Sequence, residues 1–379
     1  MDIIDSTYTS VLKKLKLVKR SIVPHLRMLL RFIALPYAYF ILVNWNECTA
    51  SRWQVFKDFL YIFFVLRDFP DYYTVLRLWE RDRDEWKYFY GSNYNPYQKA
   101  ALQKHLQPAE YEIVFADKYI CNQLCENGNI PVPEFQGYIT PEDNYREIIK
   151  QILDKNDDKI IIKDARGRGG QEIYLAYKDK DGFTVVKNNE EFDLEQLTIS
   201  CPSIIQKYIK QHQKLEDYCP SVNTIRTETI ITKDNDVVVL GAFIRFGIKD
   251  YFLDNQKLGG LSIGVNIETG EIYETAMNGI GETFTEHPDS GIPFKGFVIP
   301  YWDEVLKLSE QVQRNFSYFK MLGPDIAITP DGPVIIEINA TPDHAGLEMD
   351  YGPVLKNKNV WQVFKDYDLL INKPSKNAW

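Results

Sequence analysis

With 379 residues, 45% apolar, 26% charged and 14% aromatic, the chain can hold two or three substructures with cores of their own and is too apolar for disorder. Its net charge of −9 excludes a general nucleic-acid binder. That charge is uneven: seven Lys or Arg and no acid lie between Ser6 and Asn46, so the rest of the chain carries −16 against that +7.

Residues 1 to about 110 are poor in glycine, carry long periodic segments and are predicted to be helical. Two apolar runs stand out, Phe32 to Val43 and Phe59 to Leu66. The first contains Pro36, and both fall short of the roughly 20 residues that span a bilayer. The first run also begins too late, and lacks the small-residue cleavage site, for a secretion signal. Lysines and arginines interleaved with Leu, Val and aromatics leave two readings open: a helix lying on an anionic membrane surface, or a helical subdomain packed on the body. Five cysteines (48, 121, 125, 201, 219), an odd number without metal spacing, point to a reduced, cytoplasmic protein.

After residue 110 the composition changes. Asp117 reads as an acidic helix cap, Lys118 falls in the first turn behind it, and Gly128 ends the helix before an extended Pro131-Val-Pro133 segment. A lysine in a first turn opposes the helix dipole, which an anionic ligand would offset; a solvated surface lysine is the plainer alternative.

Lys159 to Tyr177 reads as strand, glycine loop, strand. Lys163 ends an isoleucine run, where an unpaired ammonium is costly to bury. The loop Arg166-Gly167-Arg168-Gly169-Gly170 lets backbone N–H groups come close to phosphate oxygens; an ordinary glycine hairpin is the plainer alternative. It is neither a Walker A loop nor a dinucleotide fingerprint, since no helix follows. An apolar strand turning polar comes next, Ser203-Ile-Ile-Gln206-Lys207-Tyr208-Ile209, suited to offering backbone groups to an adenine edge while Tyr and Ile cover the ring. Ser221 to Ile231 is β-rich and carries Arg226; Arg245 sits among apolar residues on a further strand, so it needs an anionic partner, a phosphate or a substrate carboxylate.

Near the C-terminus, Asp325-Ile-Ala-Ile-Thr-Pro-Asp-Gly-Pro-Val-Ile-Ile-Glu337-Ile-Asn339 reads as strand, turn, strand. Glu337 and Asn339 share one strand face. Pairing Asp325 with Asn339 would add a third oxygen ligand there and turn Ile326, Ile328, Ile336 and Ile338 to the other face. Such a set suits Mg²⁺. A hairpin with one solvated face would alternate in the same way.

In this order the motifs resemble the ATP-grasp superfamily over roughly residues 110 to 350. More narrowly, Gln211-His212, Ser221 to Arg226, Arg245, Asp254-Asn255, Gly259-Gly260, His287 to Gly291, Ile299 to Trp302 and Asp325…Glu337-Ile-Asn339 are similar to the sugar-transfer-associated ATP-grasp family of bacterial surface-polysaccharide synthesis. The resemblance implies an α+β ATP-grasp fold, two α+β subdomains clasping ATP, over 111–379, behind a helical, basic region at 1–110. It implies that Lys118 and Lys163 contact ATP phosphates, with Gly167, Gly169 and Gly170 folding over them. Gln206, Lys207, Tyr208 and Ile209 would hold the adenine. His212, with Gln211 and Gln213, occupies the region where many relatives hold the ribose with an acid. Asp325, Glu337 and Asn339 would bind Mg²⁺, and Arg226, Arg245 and Asn255 would face the acyl phosphate or acceptor.

The activity so implied is an ATP- and Mg²⁺-dependent ligase joining a small-molecule carboxylate to an amine or thiol acceptor, free or sugar-linked. Phosphoryl transfer asks for positioning and charge neutralisation more than a covalent nucleophile, so the lack of a Ser/His/Asp or Cys/His arrangement is no obstacle. Two rivals are a phosphotransferase acting on a small molecule or glycan, and a non-catalytic nucleotide-binding protein at the membrane. His344 has two readings, an acceptor-side acid or base and a loop hydrogen bond; His287 is expected to hold its own loop. The expected location is cytoplasmic, with peripheral contact at the inner face of the plasma membrane through residues 6–46.

Overall fold

The computed structural model describes residues 26–92, 95, 102, 106–156, 159–167, 172–180, 182–248, 260–279 and 281–370. The chain forms two compact units, Met1–Gln107 together with Asp343–Trp379, and Pro108–Pro342. The boundary expected near residue 110 is therefore only half of the division. The stretch from Asp343 onward, expected to continue the catalytic region, belongs with the N-terminal residues.

The first unit is helical, as its periodicity predicts. Residues 26–37 form a helix that loosens into a π turn at Ala38–Leu42, two residues beyond Pro36, whose missing N–H interrupts the α ladder. Helix α1 (Arg52–Leu60) is capped by Ser51, whose Oγ accepts from Gln54 N at 3.2 Å, and it too ends in a π turn, Tyr61–Val65. Leu35, Val55, Phe59, Ile62, Tyr73, Trp86 and Phe89 close a core of their own. Buried within it, the Asp58 carboxylate accepts from Tyr73 Oη at 2.7 Å and from Gln54 Nε2 at 2.8 Å, and pairs with Arg83. Helices His344–Asp350 and Lys358–Asp366 complete the unit. They join it for a physical reason: buried Glu348 accepts from Tyr90 N at 2.6 Å and Gly91 N at 3.2 Å.

The second unit is α+β, built on two antiparallel sheets. Strands β1 (Phe135–Ile139), β2 (Ile160–Asp164), β3 (Ile173–Lys178), β4 (Phe183–Lys187), β5 (Glu190–Asp193) and β6 (Ser203–Lys207) assemble in the order β1-β6-β2-β3-β4-β5. The other sheet holds β7 (Thr224–Ile231), β8 (Val237–Phe246), β9 (Leu261–Gly264), β10 (Ala276–Asn278), β11 (Thr283–Phe284), β12 (Met321–Thr329) and β13 (Gly332–Asn339), in the order β11-β10-β9-β8-β7-β12-β13.

Three helices matter to these sheets. Helix α2 (Lys118–Asn127) is capped as its sequence predicts: Asp117 Oδ1 accepts from Tyr119 N at 3.1 Å and Ile120 N at 3.3 Å. It ends at Gly128, where a Cβ would lie 2.3 Å from Asn315 Nδ2, and Asn129 takes the left-handed turn with φ 51. Helix α3 (Tyr145–Asn156) lays Ile149 and Leu153 on the first sheet's isoleucines, Ile139, Ile160, Ile162 and Ile205. Helix α4 (Trp302–Asn315) packs Trp302, Val305, Leu308 and Val312, all on one helical face, into the second sheet's core with Ile225, Ile244 and Ile326.

The strand–turn–strand at the C-terminal end of the second sheet forms as β12 and β13, but its register differs from the expected one. Asp325 faces Glu337, and Asn339 faces Gly323. A shift of two residues keeps all three oxygen-bearing side chains on one face. A bulge between Asp325 and Ile326, which pairs next with Ile335, then leaves Ile336 as an extra residue. The core face is accordingly Ile326, Ile328, Ile335 and Ile338; Ile336 leaves it.

Candidate nucleotide site

Between the two sheets of the second unit lies a cleft with two lobes that share Lys163, Gln206 and Ile336. One lobe is lined by Lys118, Cys121, Asn122 and Cys125 from α2, by Ile204 from β6, and by Ile335 to Ile338 from β13. The other is lined by Ile161, Ile173, Lys207, Tyr208, Ile209, Val222 and Thr224. The displaced Ile336 thus becomes part of the cleft, and its apolar side chain is used there.

The lysines are placed by their elements. Lys118 is the first residue of α2, and its backbone N donates to Ala165 O at 2.7 Å, tying the helix start to the end of β2. Its Nζ donates to Gly167 O. Lys163 sits on β2 between Ile204 of β6 and Ile173 of β3, where burial pulls its pKa down to about 8. Glu337 resists that shift and Lys118 adds to it. Two cations and one carboxylate in an otherwise uncharged lobe leave an excess of positive charge, suited to phosphate. Gly167 opens the glycine loop beside Lys118; Gly169 and Gly170 lie outside the described residues.

Gln206 is buried, and its Nε2 donates to Asn122 Oδ1 at 2.6 Å. Its Oε1 is buried without a donor among the described residues. An orphaned acceptor beside Tyr208 and Ile209 fits an exocyclic amine of adenine. The N–H groups of Lys207 and Tyr208 are engaged by Glu134 O and Lys159 O, both at 2.9 Å, which fixes the hinge after β6.

His212 is not among the residues lining the cleft. It caps the short helix Gln213–Glu216, its Nδ1 accepting from Lys214 N at 3.2 Å. Its neighbour Gln211 is buried and structural, donating to Cys219 O and Ser221 O and accepting from Asn223.

Asp325, Arg226, Arg245 and Asn339 form a largely buried cluster on the second sheet and, like His212, are not among the residues lining the two lobes. Arg226 of β7 lies directly across from Asp325 and donates from Nε to Oδ1 at 2.5 Å and from Nη2 to Oδ2 at 2.8 Å. Arg245 of β8 adds Nη2 to Oδ2 at 3.1 Å, and Asn339 Nδ2 lies 3.4 Å from the same oxygen. Burial presses this carboxyl toward its neutral form, but Arg226 and Arg245 outweigh it and hold the pKa below the ordinary value. The anionic partner that the sequence demands for Arg245 is thus Asp325 itself, with Thr224 Oγ1 accepting from Nε and Nη2. Arg226, Arg245 and the oxygen set are brought together; Asn255 lies outside the described residues.

The oxygen set fits a hard cation. Two carboxylates and an amide share one face of β12 and β13, and Gly323 opposite Asn339 keeps that position open: a Cβ there would lie 2.9 Å from Pro342 Cβ and 3.3 Å from Arg226 Cδ. Both Asp325 oxygens already accept from arginine, Oδ1 from Arg226 Nε and Oδ2 from Arg226 and Arg245 with Asn339 Nδ2 beside it, so Glu337 and the Asn339 amide oxygen are the less engaged ligand positions. Among the described residues no three His, Cys, Asp or Glu side chains form a metal cluster; here the third ligand is an asparagine.

Sequence reasoning missed Asn122, the residue that orients Gln206. The available signal was helical spacing, since Lys118, Cys121, Asn122 and Cys125 recur at one-turn intervals on one face of α2. The thiols on that face are lining. A contact with Cys125, then burial, raises the Cys121 pKa well above its usual value, the opposite of an activated nucleophile. His287 does hold its loop, its Nε2 2.8 Å from Gly247 O and its Nδ1 accepting from Asp289 N at 3.4 Å. His344 begins a helix of the other unit, edge-on to the Tyr90 ring.

Solved structures of similar fold include N5-carboxyaminoimidazole ribonucleotide synthetase from Thermotoga maritima (12% identity, TM-score 0.39, covering 72% of this chain and 54% of that one). D-alanine–D-alanine ligase from Bacillus anthracis (16%, 0.39, 71% and 70%) and biotin carboxylase from Campylobacter jejuni (13%, 0.42, 69% and 48%) are others. The chain thus spans about half the length of the synthetase and the carboxylase. No curated protein sequence matches it. The family described as sugar-transfer associated ATP-grasp matches residues 97–363, most of the chain and all of the cleft, and to that family the chain belongs.

Proposed function

We propose that the chain is an ATP-dependent ligase that joins a carboxylate to an amine or thiol through an acyl phosphate, in the synthesis of a bacterial surface polysaccharide. The observation that carries this reading is the convergence of Lys118, Lys163, Gln206 and Glu337 on one cleft between two sheets. Gln206 Oε1 would accept from the adenine amine, with Tyr208, Ile209 and Ile336 against the ring. Lys118 and Lys163 would neutralise phosphate charge that spreads during transfer. Asp325, Glu337 and Asn339 would hold Mg²⁺, which supplies Lewis-acid polarisation of phosphate oxygens when bound.

In the first step a carboxylate oxygen attacks the γ-phosphorus and the bond to the β-phosphate oxygen breaks, releasing ADP. In the second the amine or thiol attacks the carbonyl carbon, phosphate leaves with the bonding pair, and the acceptor loses a proton. Arg245 and Arg226 offer guanidinium N–H groups where the acyl phosphate or acceptor would lie. The chain would work in the cytoplasm, held at the anionic inner leaflet by its basic N-terminal stretch.

Product analysis tests the reaction. ADP and phosphate should appear together only when both carboxylate and acceptor are supplied, and hydroxylamine should trap the acyl phosphate as a hydroxamate. A stable phosphorylated product formed without any acceptor would replace the ligase by a phosphotransferase.

A further inference from the structure

The first unit carries a surface that the nucleotide site does not use. Residues 26–42 and 52–65 run antiparallel: the Phe32 ring lies 5.7 Å from Phe63 and 6.0 Å from Phe64, while Tyr39 meets Phe59 at 5.7 Å and its Oη donates to Arg52 O at 2.9 Å. One face of this hairpin, with Leu35, Ala38, Val55, Phe59 and Ile62, covers the unit's core. The opposite face is apolar too. Ile33 is 68% exposed, Phe40 63%, Ile41 64%, Trp53 67% and Phe64 59%. A helix that is apolar all round belongs against protein or lipid on both sides, and an uncovered patch of this extent marks an interaction surface.

The charges identify what covers it. The exposed charged side chains between residues 26 and 67 are Arg27, Arg52, Lys57 and Arg67, all cationic. The two acids of the stretch with described side chains are withdrawn: Asp58 is buried, and Glu47 is half-buried and paired with Arg77. Large exposed aliphatic and aromatic side chains on a segment whose exposed charges are all cationic match a bilayer interface with anionic headgroups. No helix of the described residues is long and apolar enough to cross a membrane, so the hairpin would lie in one leaflet.

We propose that the outer face of this helical hairpin inserts into the interface of an anionic lipid bilayer, anchoring the protein by apolar burial. The inference deepens the peripheral location proposed above, moving the attachment from a basic stretch held by charge to an apolar face held by insertion. Insertion has a signature that charge attraction lacks: it survives salt, because screening at about 1 M salt acts beyond about 3 Å and leaves apolar burial intact.

The test is flotation of the full chain with vesicles of phosphatidylethanolamine and phosphatidylglycerol, in low salt and in about 1 M salt. Wild type should float in both, and the triple variant Ile33→Glu/Phe40→Glu/Phe64→Glu should partition at least about tenfold less in high salt, while keeping its circular dichroism and ATP turnover. A second measurement needs no disruptive change: brominated lipid should quench wild-type fluorescence more than that of Trp53→Phe. Binding that vanishes in high salt alike for wild type and triple variant would overturn the insertion and leave charge-held attachment standing. Equal quenching of wild type and Trp53→Phe overturns it as well. So does a wild type that ignores vesicles and sediments as a dimer that the triple variant abolishes, since the face would then belong to a second copy of the chain.

Discussion

Arg226 and Asp325 face each other across β7 and β12 and meet through two parallel N–H···O contacts, at 2.5 and 2.8 Å. Both are largely buried, so the pair acts as a structural clamp between the two strands. Removing one partner strands the other charge. Arg226→Ala should lower unfolding stability by about 3–5 kcal/mol. The double variant Arg226→Ala/Asp325→Ala should cost less than the sum of the singles, in a denaturant-melt cycle. Additive losses would mean that the clamp contributes nothing.

Acid stability follows from the same pair. The folded Asp325 pKa lies below its unfolded value, so its contribution is fully present above the ordinary carboxyl range and is lost as pH falls through the lowered pKa. Wild type should therefore lose stability faster than Asp325→Asn below about pH 4. Parallel melting-temperature curves from pH 6 to the acid limit measure this.

On the proposed metal set, Glu337→Gln removes one ligand charge from a half-buried side chain. ATP turnover should fall at least about a hundredfold, with the thermal midpoint shifted by no more than a few degrees. Turnover as in wild type at saturating Mg²⁺ would remove Glu337 from the metal set.

Lys163, with a folded pKa of about 8, predicts proton-linked nucleotide binding. The folded state binds fewer protons than the unfolded between about pH 8 and 10.4, so this group adds stability as pH rises through that window. Phosphate beside the ammonium should reverse the shift. ATP binding near pH 8.5 should thus take up a fraction of a proton, seen as a buffer-dependent calorimetric heat that Lys163→Met abolishes.

Gln206→Ala should raise the ATP KM by roughly 5–30-fold, the value of one buried hydrogen bond of about 1–2 kcal/mol, and should weaken discrimination against GTP. Asn122→Ala, which only frees the Gln206 amide, should do less. Competition of the two nucleotides in one turnover assay reads both effects.

Much of this site was legible because its signals are local. Alternation gave the strand–turn–strand that became β12 and β13, and a capping Asp before Lys118 located the start of α2. What escaped was set by distant partners. The bulge after Asp325, which turns Ile336 into the cleft, leaves no trace in a two-residue period. Asn122 and Gln206 lie 84 positions apart, and nothing near either one announces their hydrogen bond. Arg245 plainly needed an anion, but only the strand order placing β7 between β8 and β12 supplies Asp325 rather than a ligand.

The sharing of one unit between residues near 90 and residues near 348 has a consequence for how the protein is made. Tyr90 N and Gly91 N wait for the carboxylate of Glu348, which leaves the ribosome 258 residues after Tyr90. At about 5–20 residues per second the delay is roughly 13–50 seconds, during which the two-sheet unit between them can be synthesised and folded first. The helical unit cannot be completed until its C-terminal helices have been made, and its apolar hairpin spends that interval without its full support. A chaperone or a membrane surface meeting the nascent chain would find that hairpin before the finished enzyme exists.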